Sequence, residues 1–122
     1  MTVQELYQKI GGDYEQAIRV LRVEKLVDKH IRKLAHNGVI DQLIKAGETM
    51  DAEQLFETAH AAKGVCANLG LTELAEMTTE IAEAYRPGTP RTLTDDQVRE
   101  RLARIAELEE KTVSEIRCYE AE

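Results

Sequence analysis

The chain has 122 residues, with one Phe, four Tyr and no Trp. That is enough for one ordinary domain, read here as a single helical domain over residues 1–122, whose interior must come from Leu, Ile, Val, Ala and Met and so suits packed helices better than a β-sandwich. A formal net charge of −7 would repel a phosphate backbone and argues against nucleic acid as a partner.

Two cysteines, Cys66 and Cys118, make no disulfide framework. No charged-then-apolar leader opens the sequence, and no apolar run approaches the ~18 residues of a membrane span. The expectation is a cytoplasmic protein with no membrane partner.

Breaks fall at Gly11-Gly12, Gly38, Gly47, Gly70 and Pro87-Gly88-Thr89-Pro90. The first element, Val3 to Ile10, is short and weakly amphipathic. A longer helix is predicted from Tyr14 to His36, with Ile18, Leu21, Leu26, Val27, Ile31 and Leu34 near one stripe and room for a break near Arg22. Its basic residues Arg19, Arg22, Lys25, Lys29, Arg32 and Lys33 read as a solvated face. His36-Asn37-Gly38 closes it, where a cation favours the helix dipole. Val39 to Ala46 follows, ended by Gly47.

The fourth predicted helix spans about 52–69. Asp51 is a good N-cap, with Gln54 placed for a capping box. Gly70 suits a left-handed C′ position, and Leu71 can fold back as in a Schellman end. The next helix begins after Thr72 and runs to about Tyr85, with Leu74, Met77, Ile81 and Tyr85 on one side. The last opens with a second box, Thr94 to Gln97. It continues to about Tyr119 with Val98, Leu102, Ile105, Leu108, Thr112, Val113, Ile116 and Tyr119 as its stripe. Short loops between consecutive helices imply antiparallel neighbours. The fold is therefore expected to be all-α, an up-down four-helix-bundle core with short additional N-terminal helices.

One histidine stands apart. With about 100° per residue and Leu55 set at zero, Phe56 falls at ~100°, Ala59 at ~40°, Ala62 at ~−20°, Cys66 at ~20° and Leu69 at ~−40°. These residues form the expected buried stripe. His60 falls at ~140° and should reach solvent at the flank of the core. Gly64 lies one turn further along the same face, and Ala61 and Ala67 are small as well. A glycine inside a helix costs about 1 kcal/mol relative to alanine; here it removes bulk beside the imidazole, so a partner's active site can come close. Lys63, at i+3, can bring an ammonium near a phosphoryl group on His60. Glu57 and Glu53 lie toward the same exposed side. A neutral imidazole nitrogen is nucleophilic near neutral pH. Phosphoryl transfer depends mainly on positioning and charge neutralisation, so a simple acceptor works if its partner supplies carboxylates and a metal ion.

The other histidines have plainer readings. His30, among Val27, Ile31 and Leu34, is a partly buried helix residue, and His36 serves a helix end. His30 and His36 point to different sides of a helix, and neither cysteine has CxxC spacing, so no metal site is expected. Cys66 fills core volume.

The run His60-Ala61-Ala62-Lys63-Gly64-Val65-Cys66-Ala67-Asn68-Leu69-Gly70-Leu71 resembles the signature of histidine-containing phosphotransfer (HPt) domains: a His, Lys and Gly at i+3 and i+4, small residues, and an apolar-Gly-apolar ending. Ala62 stands where a larger aliphatic residue is common, and Val65-Cys66 where a small pair is usual; both keep the stripe apolar. Gly11-Gly12-Asp13-Tyr14 resembles the opening of many stand-alone bacterial members.

The resemblance implies a bundle whose phosphorylatable histidine projects from a central helix. The histidine would exchange phosphoryl groups with aspartates of response-regulator receiver domains, or carry them from a hybrid histidine kinase. On that reading His60 is the phosphoacceptor and Lys63 the charge partner of the phosphate, while Gly64, Ala61, Ala67 and Glu57 belong to the docking face. No kinase ATP-binding motif is present. The chain would be a phosphocarrier and no enzyme, a monomer without a cofactor, Mg2+ being expected on the partner receiver. The alternative is a non-catalytic helical-bundle interaction module that keeps a degenerate form of the same fold. A small hydrolase using His60 as general acid–base is disfavoured, because no carboxylate, serine or second histidine lies at a helpful spacing on this helix.

Overall fold

A computed structural model describes residues 1–36 and 38–122. Among them the chain forms seven α-helices and no strand: α1 (Val3–Ile10), α2 (Tyr14–Leu21), α3 (Glu24–His36), α4 (Val39–Thr49), α5 (Ala52–Asn68), α6 (Thr72–Ala84) and α7 (Asp95–Glu120). The all-α bundle expected from the sequence is present. α5 packs between α4 and α6, and the 26-residue α7 closes the bundle against both. α1 and α3 lie against α7, while α2 reaches α5. The core is aliphatic: Leu43, Leu55, Ile81, Val98, Ile105 and Ile116 are all fully enclosed.

Local chemistry sets the helix ends. Thr2 and Glu5 form a reciprocal capping box at α1, and Thr94 and Gln97 form the predicted one at α7. α1 is more sharply sided than its sequence suggested, because Val3, Leu6 and Tyr7 are all buried on one face. The long helix expected over 14–36 is two helices. Arg22 takes φ 77°, ending α2, and the chain restarts at Glu24. The break near Arg22 is thus real, and α3 ends at His36, where the sequence placed the end of the longer helix.

Gly47 does not end α4, which continues to Thr49 and closes on Met50 in a left-handed conformation (φ 56°). Gly47 instead permits close helix packing, since a Cβ there would lie 2.6 Å from Leu102 Cδ1 on α7. Sequence position alone cannot separate a glycine that terminates a helix from one that admits a neighbour.

α7 departs from its expected stripe around Glu109. Glu109 is 8% exposed, while Leu108 and Val113 are only partly covered. At its C-terminal end α7 is fastened to α3. Tyr119 Oη donates to Asp28, the Arg32 guanidinium lies 4.8 Å from the Tyr119 ring centroid, and His36 Nε2 is 2.7 Å from Glu120 Oε1. His36 therefore has a carboxylate partner as well as a helix end, which the sequence reading did not foresee.

Candidate functional site

Both ends of α5 are fixed. At the N-terminus, Asp51 Oδ1 accepts from the Gln54 amide at 3.0 Å, half of the predicted capping box. At the C-terminus, Gly70 has φ 69°; its N–H donates to Ala67 O at 3.1 Å, and the Leu71 N–H donates to Cys66 O at 2.9 Å. That bond pair is the predicted Schellman end. Two further bonds come from the N-terminal helices. Tyr7 Oη donates to Leu69 O at 2.7 Å, and the Asp13 N–H donates to Gly70 O at 2.7 Å. A Cβ on Gly70 would lie 2.1 Å from Asp13 O, so this contact needs a glycine for space as well as for φ.

A helix held in this way presents its two faces in fixed directions. Leu55, Ala59, Ala62 and Cys66 are wholly buried, as the helical angles predict. Burial pushes the Cys66 thiol up to about 12, with the Glu109 charge adding to the effect; it is an inert core residue. His60, Ala61, Gly64, Ala67, Glu57 and Glu53 are exposed on the outer face. Lys63, the only lysine or arginine of α5, is partly covered at the flank. The six candidate residues His60, Lys63, Gly64, Ala61, Ala67 and Glu57 thus all lie on the helix surface outside the core. A Cβ built on Gly64 meets nothing within 4 Å, so the surface beyond the imidazole is open.

Phe56 differs from its expected place. It is half-buried rather than part of the enclosed stripe, and its ring stacks on His60 with centroids 5.5 Å apart and planes 23° from parallel. At ~100° on the helical wheel it sits between the stripe and His60. Its spacing of four residues before the histidine was the available signal. On the opposite flank of α5, a cleft of about 320 Å3 is lined by His30, Leu34, Val65 and Leu69, among others. His30 is half-buried there, as its neighbours predicted.

Residues 26–110 match the family model described as Hpt domain. The chain belongs to the Hpt domain family. No curated protein and no solved structure matches it. Hpt domains are phosphocarriers of two-component phosphorelays and interact with receiver or kinase domains. The matched segment contains His60, Lys63 and Gly64 and runs from α3 into α7, leaving α1 and α2 before it. No helix among the described residues is long and apolar enough to cross a membrane.

Proposed function

We propose that His60 is the phosphoacceptor of this Hpt domain, receiving a phosphoryl group from the aspartyl phosphate of a response-regulator receiver domain and returning it to such an aspartate. The carrying observation is an exposed imidazole on the outer face of a helix whose inner face is fully packed, with free space at Gly64 one turn away. A convex, open surface of this kind suits a partner protein better than a small substrate, which favours a concave pocket.

In the transfer, the lone pair of the unprotonated ring nitrogen attacks phosphorus and an N–P bond forms. The P–O bond to the aspartate breaks, and the carboxylate leaves with the electron pair. The other ring nitrogen keeps its proton, so the reverse transfer regenerates neutral imidazole. Lys63 supplies positive charge beside the phosphoryl oxygens. Gly64, Ala61, Ala67 and Glu57 form the surface on which the receiver sits. The carrier needs no cofactor of its own; Mg2+ and the carboxylates that hold it belong to the receiver. The working form is a cytoplasmic monomer.

The test is incubation with a panel of receiver domains radiolabelled on their aspartate with labelled acetyl phosphate. At least one receiver should label the wild type, and His60→Gln should stay unlabelled. Label on His60→Gln removes His60 as acceptor. A wild type that binds receivers without gaining label, and whose biological output survives His60→Gln, supports a non-catalytic interaction module instead.

A further inference from the structure

We infer that Phe56 is a positioning residue for His60: its ring backs one face of the imidazole on the N-terminal side of α5 and limits its rotation, leaving the nitrogen edge free for the phosphodonor and the Gly64 side open to the partner that carries it. This inference rests on the acceptor reading of His60. It begins with helix geometry. Side chains on an α-helix lean toward its N-terminus, so the residue that meets His60 is the one four positions earlier. That residue is Phe56, and the two rings are stacked with centroids 5.5 Å apart and planes 23° from parallel. The position four residues later is Gly64, where a Cβ would touch nothing. The imidazole therefore has a wall on one side and open space on the other.

Phe56 is suited to being the wall because it is itself anchored. It is half-buried and packed against the apolar core, whereas His60 is exposed. An exposed histidine with no such neighbour samples several χ1 rotamers and a broad χ2. Stacking on a ring held by the core narrows that range. It also leaves the nitrogen edge free, because a phenyl face offers no acceptor that would compete for a ring nitrogen. A larger share of encounters then finds the imidazole aligned for attack on phosphorus, which is where orientation acts on rate.

Phe56→Leu keeps an apolar, helix-favouring residue and removes the ring; Phe56→Tyr keeps the ring. Phosphoryl transfer is followed with the labelled receiver that best phosphorylates the wild type, and receiver affinity is measured separately. Phe56→Leu should slow transfer roughly three- to tenfold at unchanged receiver affinity, and Phe56→Tyr should restore it. In the proton NMR spectrum of the unmodified protein, the His60 ring protons should show an upfield ring-current shift. Phe56→Leu should abolish that shift, with a thermal melt as the control for folding.

Transfer at the wild-type rate by Phe56→Leu overturns the inference while leaving His60 as acceptor. The lack of a ring-current shift in the wild type also overturns it, and this measurement stands even if Phe56→Leu folds poorly. A wild type that gains no label from any receiver overturns the acceptor reading and this inference with it.

Discussion

Tyr7 Oη donates a 2.7 Å hydrogen bond to the Leu69 carbonyl, joining helix α1 to the last turn of α5 across 62 positions of sequence. The phenol is buried, and desolvation holds it well above its ordinary ionisation range, so it stays a donor at any physiological pH. Leu69 is the C-cap of the helix that carries His60. A segment outside the matched family region therefore fixes the end of the candidate site's helix.

Tyr7→Phe keeps the packing and removes only the donor. It should cost about 1–2 kcal/mol, because a buried carbonyl loses its partner. A denaturant titration would show this as a lower midpoint with an unchanged slope. Amide exchange in the last turn of α5 should quicken, while His60 remains competent to be labelled. An unchanged midpoint would mean that water replaces the phenol at Leu69 without loss.

Gly70 and Gly88 form a matched pair for separating backbone strain from crowding. Both have positive φ, 69° and 82°. A Cβ on Gly88 meets nothing within 4 Å, whereas on Gly70 it would lie 2.1 Å from Asp13 O. Gly88→Ala should cost about 1 kcal/mol, the strain of a left-handed alanine. Gly70→Ala should cost clearly more, roughly 3 kcal/mol or above, because the α2 connection must also move. Equal losses in thermal melts of the two variants would show that the Asp13 contact yields easily.

The outer face of α5 was legible because its signals are local. Helical angles from Leu55 separated Leu55, Ala59, Ala62 and Cys66 from His60 and Gly64, and the Schellman end followed from Gly70-Leu71. What escaped was tertiary. Nothing near Gly47 announces that Leu102 fills the space where its side chain would be. Nothing near Tyr7 points to Leu69, or near Asp13 to Gly70. Phe56 was misplaced because its apolar character drew it into the buried stripe, although its angle of ~100° puts it at the stripe's edge beside His60. Glu109 was missed because a charged residue defaults to solvent in a pattern reading, although its spacing from Ile105, Thr112 and Ile116 puts it on the buried face.

That buried carboxyl makes stability depend on pH. Desolvation, with the neighbouring Asp41 carboxylate second, pushes Glu109 up from 4.5 to about 8. The folded chain therefore holds this proton more tightly than the unfolded chain does. The resulting stability is complete below the unfolded value and is lost as pH rises to about 8. Glu109→Gln cannot ionise. Its melting temperature relative to wild type should rise by roughly 5–10 °C between pH 5 and pH 9. A difference that stays constant across that range would show that Glu109 is charged in the folded protein at every pH tested.

Gly64 offers the sharpest separation of folding from function. The position is mid-helix, exposed and free of neighbours within 4 Å of a Cβ. Gly64→Ala should therefore stabilise the protein by up to about 1 kcal/mol through helix propensity alone. Gly64→Gln should also be at least as stable as wild type, since glutamine is a good helix former. Yet its side chain would stand beside His60 on the side left open opposite Phe56, where a receiver must approach. Phosphoryl transfer by Gly64→Gln should fall at least tenfold, about 1.4 kcal/mol of barrier, while its melting temperature holds or rises. Radiolabel transfer and thermal melts on the same preparations check both halves. If Gly64→Gln accepts phosphate at the wild-type rate, the receiver does not approach over Gly64.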